Sequence, residues 1–403
     1  MATENNNKTL NVPNLRFPEF SGEWESNELH KVASLSKGAG ISKDQLSDSG
    51  HPCILYGELY TKYKSEIIRE VYSKTQLDVA NLVKSHTNDV IIPCSGEAAI
   101  EIATARCVLI PEILLGGDLN IIRLNGRHDG GFFAYQLNGK RKVDIAKVAQ
   151  GVSVVHLYGE HLKKVKVAYP SLEEQQKISS FLALLDERIA TQIKIIEKLE
   201  SLIRGLITDV NSGRIAQCKS VYLRDLLIEQ HEKNTNNYEV CSVSVSQGVI
   251  NQIDYLGRSF AAKEVLHYNV VNCGDIVYTK SPTGEFPYGI VKRSDITKPV
   301  AVSPLYGVYR PINDYVGRYL HLYFKSPINA KNYLHKLIQK GAKNTINITN
   351  QHFLDNKILI PEKGWLDKIV KFAAAIEMKI ATENKVLQTL QQQKDYLLSK
   401  MFI

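Results

Sequence analysis

Two long stretches of the chain carry a core-facing pattern on alternating steps of four and three. The first runs Ile178, Leu182, Leu185, Ile189, Gln192, Ile196, Leu199, Ile203, Leu206; the second runs Ile369, Ala373, Ile376, Ile380, Glu383, Leu387, Leu390, Lys394, Leu397. This spacing is a coiled-coil seam, and it predicts long helices over 171–210 and 362–403. At 1.5 Å rise per residue each is about 50 to 60 Å long, comparable to ~15 base pairs of duplex. Each seam has a polar residue at its centre, Gln192 and Glu383, a device that sets register at some cost in stability. If the helices pair antiparallel, the two polar residues face one another. A domain inserted between the helices favours that direction, because the chain returns to its starting side.

The same frame occurs twice. Without a gap, His161 falls on His352, Pro170 on Pro361, Phe181 on Phe372, and Ile189-Ala190-Thr191 on Ile380-Ala381-Thr382. Such a period is far longer than the roughly 20 to 50 residues of a solenoid unit, so the chain reads as two whole domains, each followed by one helix. Upstream, Trp24 to Leu29 resembles Val221 to Leu226, and Asp89 to Glu97 resembles Asp275 to Glu285. Tyr56 to Lys84 has no counterpart in Val240 to Lys263, as expected of one scaffold with two different fillings.

Strand character lies over Val90 to Ile92, Ile121 to Leu124, Val152 to Leu157 and Val165 to Ala168 in the first domain. In the second it lies over Val240 to Val245, Ile276 to Tyr278, Gly289 to Val291 and Ile358 to Ile360. The expected class is α+β. The boundaries are a first domain over 1–170, its helix over 171–210, a second domain over 211–361 and its helix over 362–403. Antiparallel pairing of the helices would give the whole a pseudo-two-fold axis. Dimeric DNA-binding proteins use such an axis to read two half-sites.

Composition is ordinary for a soluble globular chain of 403 residues, 44% hydrophobic and 23% charged. No stretch approaches the ~18 apolar residues of a membrane span, and the polar start Met1 to Lys8 lacks a signal-peptide core, so a cytoplasmic location is expected. The six cysteines are too scattered for structural zinc and read as reduced, mostly buried thiols. Over 171–207 and 362–403 the helices hold 12 basic against 11 acidic residues, which leaves +7 of the formal +8 on the rest of the chain. A basic excess located there suits contact with phosphates, though many proteins this basic bind nothing anionic.

The candidate contact residues are polar loops. Ser95-Gly96-Glu97 and Ser281-Pro282-Thr283-Gly284-Glu285, the latter preceded by Lys280, are either tight turns or loops whose hydroxyls meet phosphates or base edges. Gly151 and Ser153 lie in one further loop, and Lys340, Lys343, Asn344 and Thr345 in another. Tyr56 and Tyr60 beside Lys62 either face a groove or pack inside. His161 and His352 read as occupants of a shared structural position. Phosphate loops, dinucleotide fingerprints, the amino-methyltransferase tetrapeptide, nuclease carboxylate patterns, hydrolase elbows and zinc-protease motifs are all missing from the sequence. The chain reads as a binder, without catalytic residues or a metal site.

The opening Asn11-Val12-Pro13-Asn14-Leu15-Arg16-Phe17-Pro18-Glu19-Phe20 with Gly22-Glu23-Trp24, the run Pro170-Ser171-Leu172-Glu173-Glu174-Gln175-Gln176-Lys177-Ile178, Phe181 to Asp186, and the ending Leu397 to Phe402 resemble the specificity subunits of type I restriction-modification systems. The resemblance covers nearly the whole chain. Glu362-Lys363-Gly364-Trp365 departs from it, standing where the first helix has its Glu-Gln-Gln entry. The resemblance implies two target-recognition domains, each reading half of a split sequence in double-stranded DNA, with the coiled coil setting the gap. It implies two modification subunits that methylate adenine at N6 with S-adenosylmethionine, and two nuclease-translocase subunits that use ATP and Mg. The chain itself would hold no cofactor. The alternative is a coiled-coil scaffold whose two domains bind proteins or other ligands.

Overall fold

The computed structural model describes residues 11–151, 154–258, 264–340 and 346–403. Two long helices dominate it, Leu172–Asn211 and Lys363–Lys400. The first begins with Ser171 Oγ accepting from the Glu174 N–H, and Glu173 and Glu174 in its first turn favour the positive end of the helix dipole. It ends at Gly213, whose φ of +71° lets the chain leave the helix.

The chain divides into two compact units, one of residues 1–194 with 384–403 and the other of residues 195–383. The division cuts both long helices near their middles, so each unit is a globular domain plus half of each helix. This differs from a boundary drawn at the helix starts. The physical reason is burial: the two halves of each helix put their apolar faces into different cores.

In the first unit, Ile178, Leu182 and Ala183 of the first helix share a core with Leu398, Met401 and Phe402 from the end of the chain. Trp24 packs on Phe132 at 5.6 Å and on Phe402 at 6.5 Å between ring centroids. In the second unit, Ile203, Ile207 and Val210 share a core with Leu366, Ile369, Val370 and Ala373. There Phe353 stacks on Tyr278 at 4.6 Å and on Tyr309 at 5.0 Å. In each unit, therefore, the late half of one helix lies with the early half of the other, and the pair runs antiparallel. Each fully buried apolar side chain contributes about 1.5–3 kcal/mol.

Of the seam residues, Leu182, Leu185, Gln192, Ile196, Ile376, Glu383 and Leu390 are buried, and Ile189, Leu199, Ile380 and Leu387 are half-buried. Lys394, a lysine at a seam position, is explained by its neighbours. Its ammonium lies 2.5 Å from Glu66 Oε2 and 2.6 Å from Asp186 Oδ1, and both acids are buried.

The sheets repeat a frame. The strand Lys166–Tyr169, which feeds the first helix, pairs antiparallel with Glu25–Glu28; Lys357–Pro361, which feeds the second, pairs antiparallel with Cys218–Tyr222. Leu29 N–H donates to Val165 O and Leu223 N–H donates to Asn356 O. Leu29 is thus equivalent to Leu223, three residues from the upstream alignment that sequence similarity suggests. Backbone register decides the equivalence.

A second duplicated device is a buried aspartate. Asp89, on the strand Asp89–Pro93, pairs with Arg123 at 2.8 Å, and Asp275, just before the strand Ile276–Thr279, pairs with Arg310 at 3.4 Å. Each also accepts from the backbone N–H three residues earlier, of His86 and Asn272. Burial pushes the Asp275 carboxyl up, with the Asn272 N–H and Arg310 acting against it. Around this shared frame the fillings differ. The first domain has two five-stranded sheets and the second a four-stranded one.

Cys53, Cys94, Cys107 and Cys241 are buried, Cys218 is half-buried and Cys273 is exposed; all six are free thiols. Among the described residues no helix is long and apolar enough to cross a membrane.

Candidate nucleic-acid interface

In the first unit the structure brings several of the candidate residues together. Ser95-Gly96 forms a short strand antiparallel to Val155–His156, and Ser95 Oγ lies 3.3 Å from His156 Nδ1. The Tyr60 hydroxyl donates to Ser95 O at 3.2 Å. There is little room beside Gly96, since a Cβ would stand 3.1 Å from that hydroxyl. Gln150 pairs with His156, and Gly151 follows at φ +127°, where a Cβ would meet Val154 O at 2.0 Å. His156, exposed beside this group, is the member that sequence reasoning missed. Ser153 lies outside the described residues.

Tyr56 and Lys62 lie on the neighbouring turn and helix and line a cavity of about 930 Å³ with Ser42, Lys43, Gly57 and Gly117. Tyr56 is exposed. The Lys62 ammonium is held 2.7 Å from the buried Glu58 carboxylate and donates to Ser73 Oγ, so much of its charge is used inside the domain.

In the second unit Lys280, Ser281, Thr283 and Gly284 stand in the loop between the antiparallel strands Ile276–Thr279 and Ile290–Arg293. Thr283 and Phe286 exchange backbone hydrogen bonds, which closes the tip, and Gly284 takes φ +51°. Ser281 to Glu285 are exposed while Phe286 is buried, so the loop is anchored at its far end and presents its polar groups outward. Burial lowers the Lys280 ammonium, with Glu229 opposing. Lys340 lies in a two-residue strand, Gln339–Lys340, paired with Ile346–Asn347. Lys343, Asn344 and Thr345 lie outside the described residues.

The paired histidines differ. His161 Nδ1 lies 3.0 Å from Val148 O, whereas His352 Nδ1 lies 3.5 Å from Asp355.

The halves of the long helices in the first unit carry a separate feature. Phe181, Leu184, Leu185, Val386, Leu390 and Tyr396 line an open groove of about 930 Å³. Leu184 is 61% exposed and Tyr396 58%, unusual for large apolar side chains on an ordered helix pair. At the start of the first helix, Arg16 grips the buried Glu174 with two hydrogen bonds of 2.8 and 2.7 Å, and Phe17 packs edge-on to Phe181 at 5.7 Å.

Residues 21–201 match the family model described as "Type I restriction modification DNA specificity domain". Over 225 residues the chain is 25% identical to a protein of Methanocaldococcus jannaschii named as the type I restriction enzyme MjaX specificity subunit. That match covers 53% of this chain and 51% of the other, so the chain spans about half the length of the curated relative it matches. Two solved structures share the fold. One is the S subunit of a type I restriction-modification system from M. genitalium, with a TM-score of 0.60 at 14% identity over 97% of this chain and 99% of that one. The other comes from a structure of a type I R-M system described for its complex assembly and conformational transition, with a TM-score of 0.53 at 13% identity over 94% and 97%.

Proposed function

We propose that the chain, whose residues 21–201 match the type I restriction-modification DNA specificity model, is the sequence-reading subunit of such a complex. Each domain reads one half of a bipartite site in double-stranded DNA. The helix pair holds the domains and sets the unread gap. The observation that carries this reading is a duplicated frame with unlike fillings: the Asp89 and Asp275 pairs and the two helix-feeding strands are alike, while the polar loops around Ser95 and Ser281 are built differently. One scaffold presenting two different polar surfaces suits two unlike half-sites.

The chain is the non-catalytic member. Two modification subunits supply adenine-N6 methylation with S-adenosylmethionine, and two restriction subunits supply ATP- and Mg-dependent translocation and cleavage. The exposed groove of Phe181, Leu184 and Tyr396 supports docking of a partner subunit on the helices, because such a surface is unfavourable in water until covered.

Selection from a random duplex library by the complex assembled with its modification subunits tests the reading. Enrichment of two short constant blocks at a fixed separation is expected. Enrichment of one contiguous block, or of none, would refute it.

A further inference from the structure

The strand Ile290–Arg293 is buried along its whole length, yet its third residue is a lysine. Lys292 is 3% exposed, and among the described residues no acid or acceptor pairs with its ammonium. Burial, reinforced by the nearby charge of Lys325, pulls it down to about 8. A largely buried lysine without a carboxylate costs the fold stability and returns none through pairing. An anion from outside the chain, reaching the ammonium through a cavity, would offset that cost.

The surroundings say which. Lys292 lines two adjoining cavities of about 410 and 390 Å³ that share Val245, Lys292 and Lys325. The first is walled by the turn Ser246-Gln247-Gly248 and by His321. The His321 Nδ1 accepts from the Arg293 N–H at 3.2 Å, which leaves the proton on Nε2 as a donor. Burial, then Lys292, Lys325, Arg293 and Arg318, holds His321 neutral, with its value pulled down to about 3. Three of the acids nearby are already paired. Asp295 and Asp314 both accept from Arg293, Asp314 also from Arg318, and Glu377 lies 3.4 Å from Lys325. The second cavity reaches Glu285 and Phe286 at the end of the Ser281 to Glu285 loop, and Glu200 and Arg204 on the first long helix, themselves 3.8 Å apart.

We propose that this pocket binds a phosphate group, with Lys292 and Lys325 as the cations and Ser246 and His321 as the neutral donors. Cations and neutral donors contributed by a strand, a turn and a helix suit an oxyanion with several acceptor oxygens better than a flat carboxylate. The phosphate comes either from the backbone of DNA lying on the adjoining loop or from a free phosphate. The first source rests on the DNA-reading function proposed above; the second does not.

The test uses the full chain and two variants, Lys292→Met and Lys325→Met. The melting temperature is measured in inorganic phosphate against chloride at equal ionic strength, and duplex affinity is measured across salt. Phosphate is expected to raise the wild-type melting temperature and to bind each variant about tenfold more weakly. Without phosphate, Lys292→Met is expected to melt no lower than wild type, which separates a ligand role from a structural one. If duplex affinity also falls about tenfold, with a salt slope smaller by about one, the group belongs to DNA. If only inorganic phosphate binding is lost, it is a free phosphate. A wild type indifferent to phosphate, together with variants of unchanged duplex affinity, overturns the proposal. A wild type that binds no duplex but responds to phosphate overturns the DNA reading and leaves this pocket supported.

Discussion

Replacing Lys394 with methionine keeps the length of the side chain and removes the cation that ion-pairs with both Glu66 and Asp186. The three charged groups are drawn together from both long helices and the globular part of the first unit, and their side chains are 15%, 8% and 5% exposed. Burial pushes Glu66 up, and Asp186 adds to the push while Lys394 resists it. Asp186 is held below 3.8 although burial opposes this, by the charge of Lys394 and by hydrogen bonds from Glu66, Lys394 and Tyr135. Taking the cation away leaves one or two uncompensated buried carboxylates, a loss of about 3–5 kcal/mol. At about 2–4 °C per kcal/mol for a unit of roughly 200 residues, the first unit should melt roughly 6–20 °C lower. Chemical denaturation and calorimetry of the full chain read the change. The Asp186 contribution is present above 3.8 and is lost as pH falls through its lowered value, so the gap between variant and wild type should close in acid. Adding Glu66→Gln and Asp186→Asn to Lys394→Met should restore part of the loss. A single variant within about 1 kcal/mol of wild type at neutral pH would refute the reasoning, since buried unpaired carboxylates cannot cost so little.

Gly289→Ala should destabilise the second unit by more than about 1 kcal/mol, because Gly289 sits at φ +103° and a Cβ would stand 2.0 Å from Thr279 O; denaturation at wild-type midpoint would contradict this. Lys292 is expected to make stability rise with pH. Its folded value of about 8 lies under the ordinary 10.5, so the unfolded chain binds the extra proton between those values, and wild type should gain on Lys292→Met by about 1.4 kcal/mol per pH unit there. Parallel pH profiles would exclude it. Leu184→Glu changes a side chain that is 61% exposed, so melting should stay within about 0.5 kcal/mol of wild type while co-purification with the modification subunit falls; undiminished co-purification would remove the groove from the docking surface.

The long helices were the most legible part of the sequence, because a 3.5-residue period sustained over nine positions marks a long helix with one continuous apolar seam. Lys394 breaks that period, and only the fold supplies the reason, two acids from elsewhere in the chain. The strand positions were also close: Ile276 to Tyr278 was expected and Ile276–Thr279 is found. Register was not legible. The upstream repeat was displaced by three residues because short strands of mixed polarity align about equally well at several offsets, and the hydrogen bonds from Leu29 and Leu223 decide between them. Nor could the sequence place the unit boundary, which falls inside the helices because each half is buried in a different core. Among the candidate contacts, Tyr60, Ser95, Gly96 and Gly151 do meet, around a histidine with no motif of its own. Lys292 was invisible for a related reason: one lysine in Ile290-Val291-Lys292-Arg293 looks like the outward face of an edge strand. The signal that could have singled it out is the apolar pair before it, which marks the strand as buried on both faces.

The most direct test of the central claim is a genome-wide map of N6-methyladenine in the host, with and without this gene and with the partner subunits intact. Loss of methylation at one split motif, two short half-sites at a fixed separation, is the expected result. An unchanged map, in cells where the chain is made and assembled with active modification subunits, would contradict it.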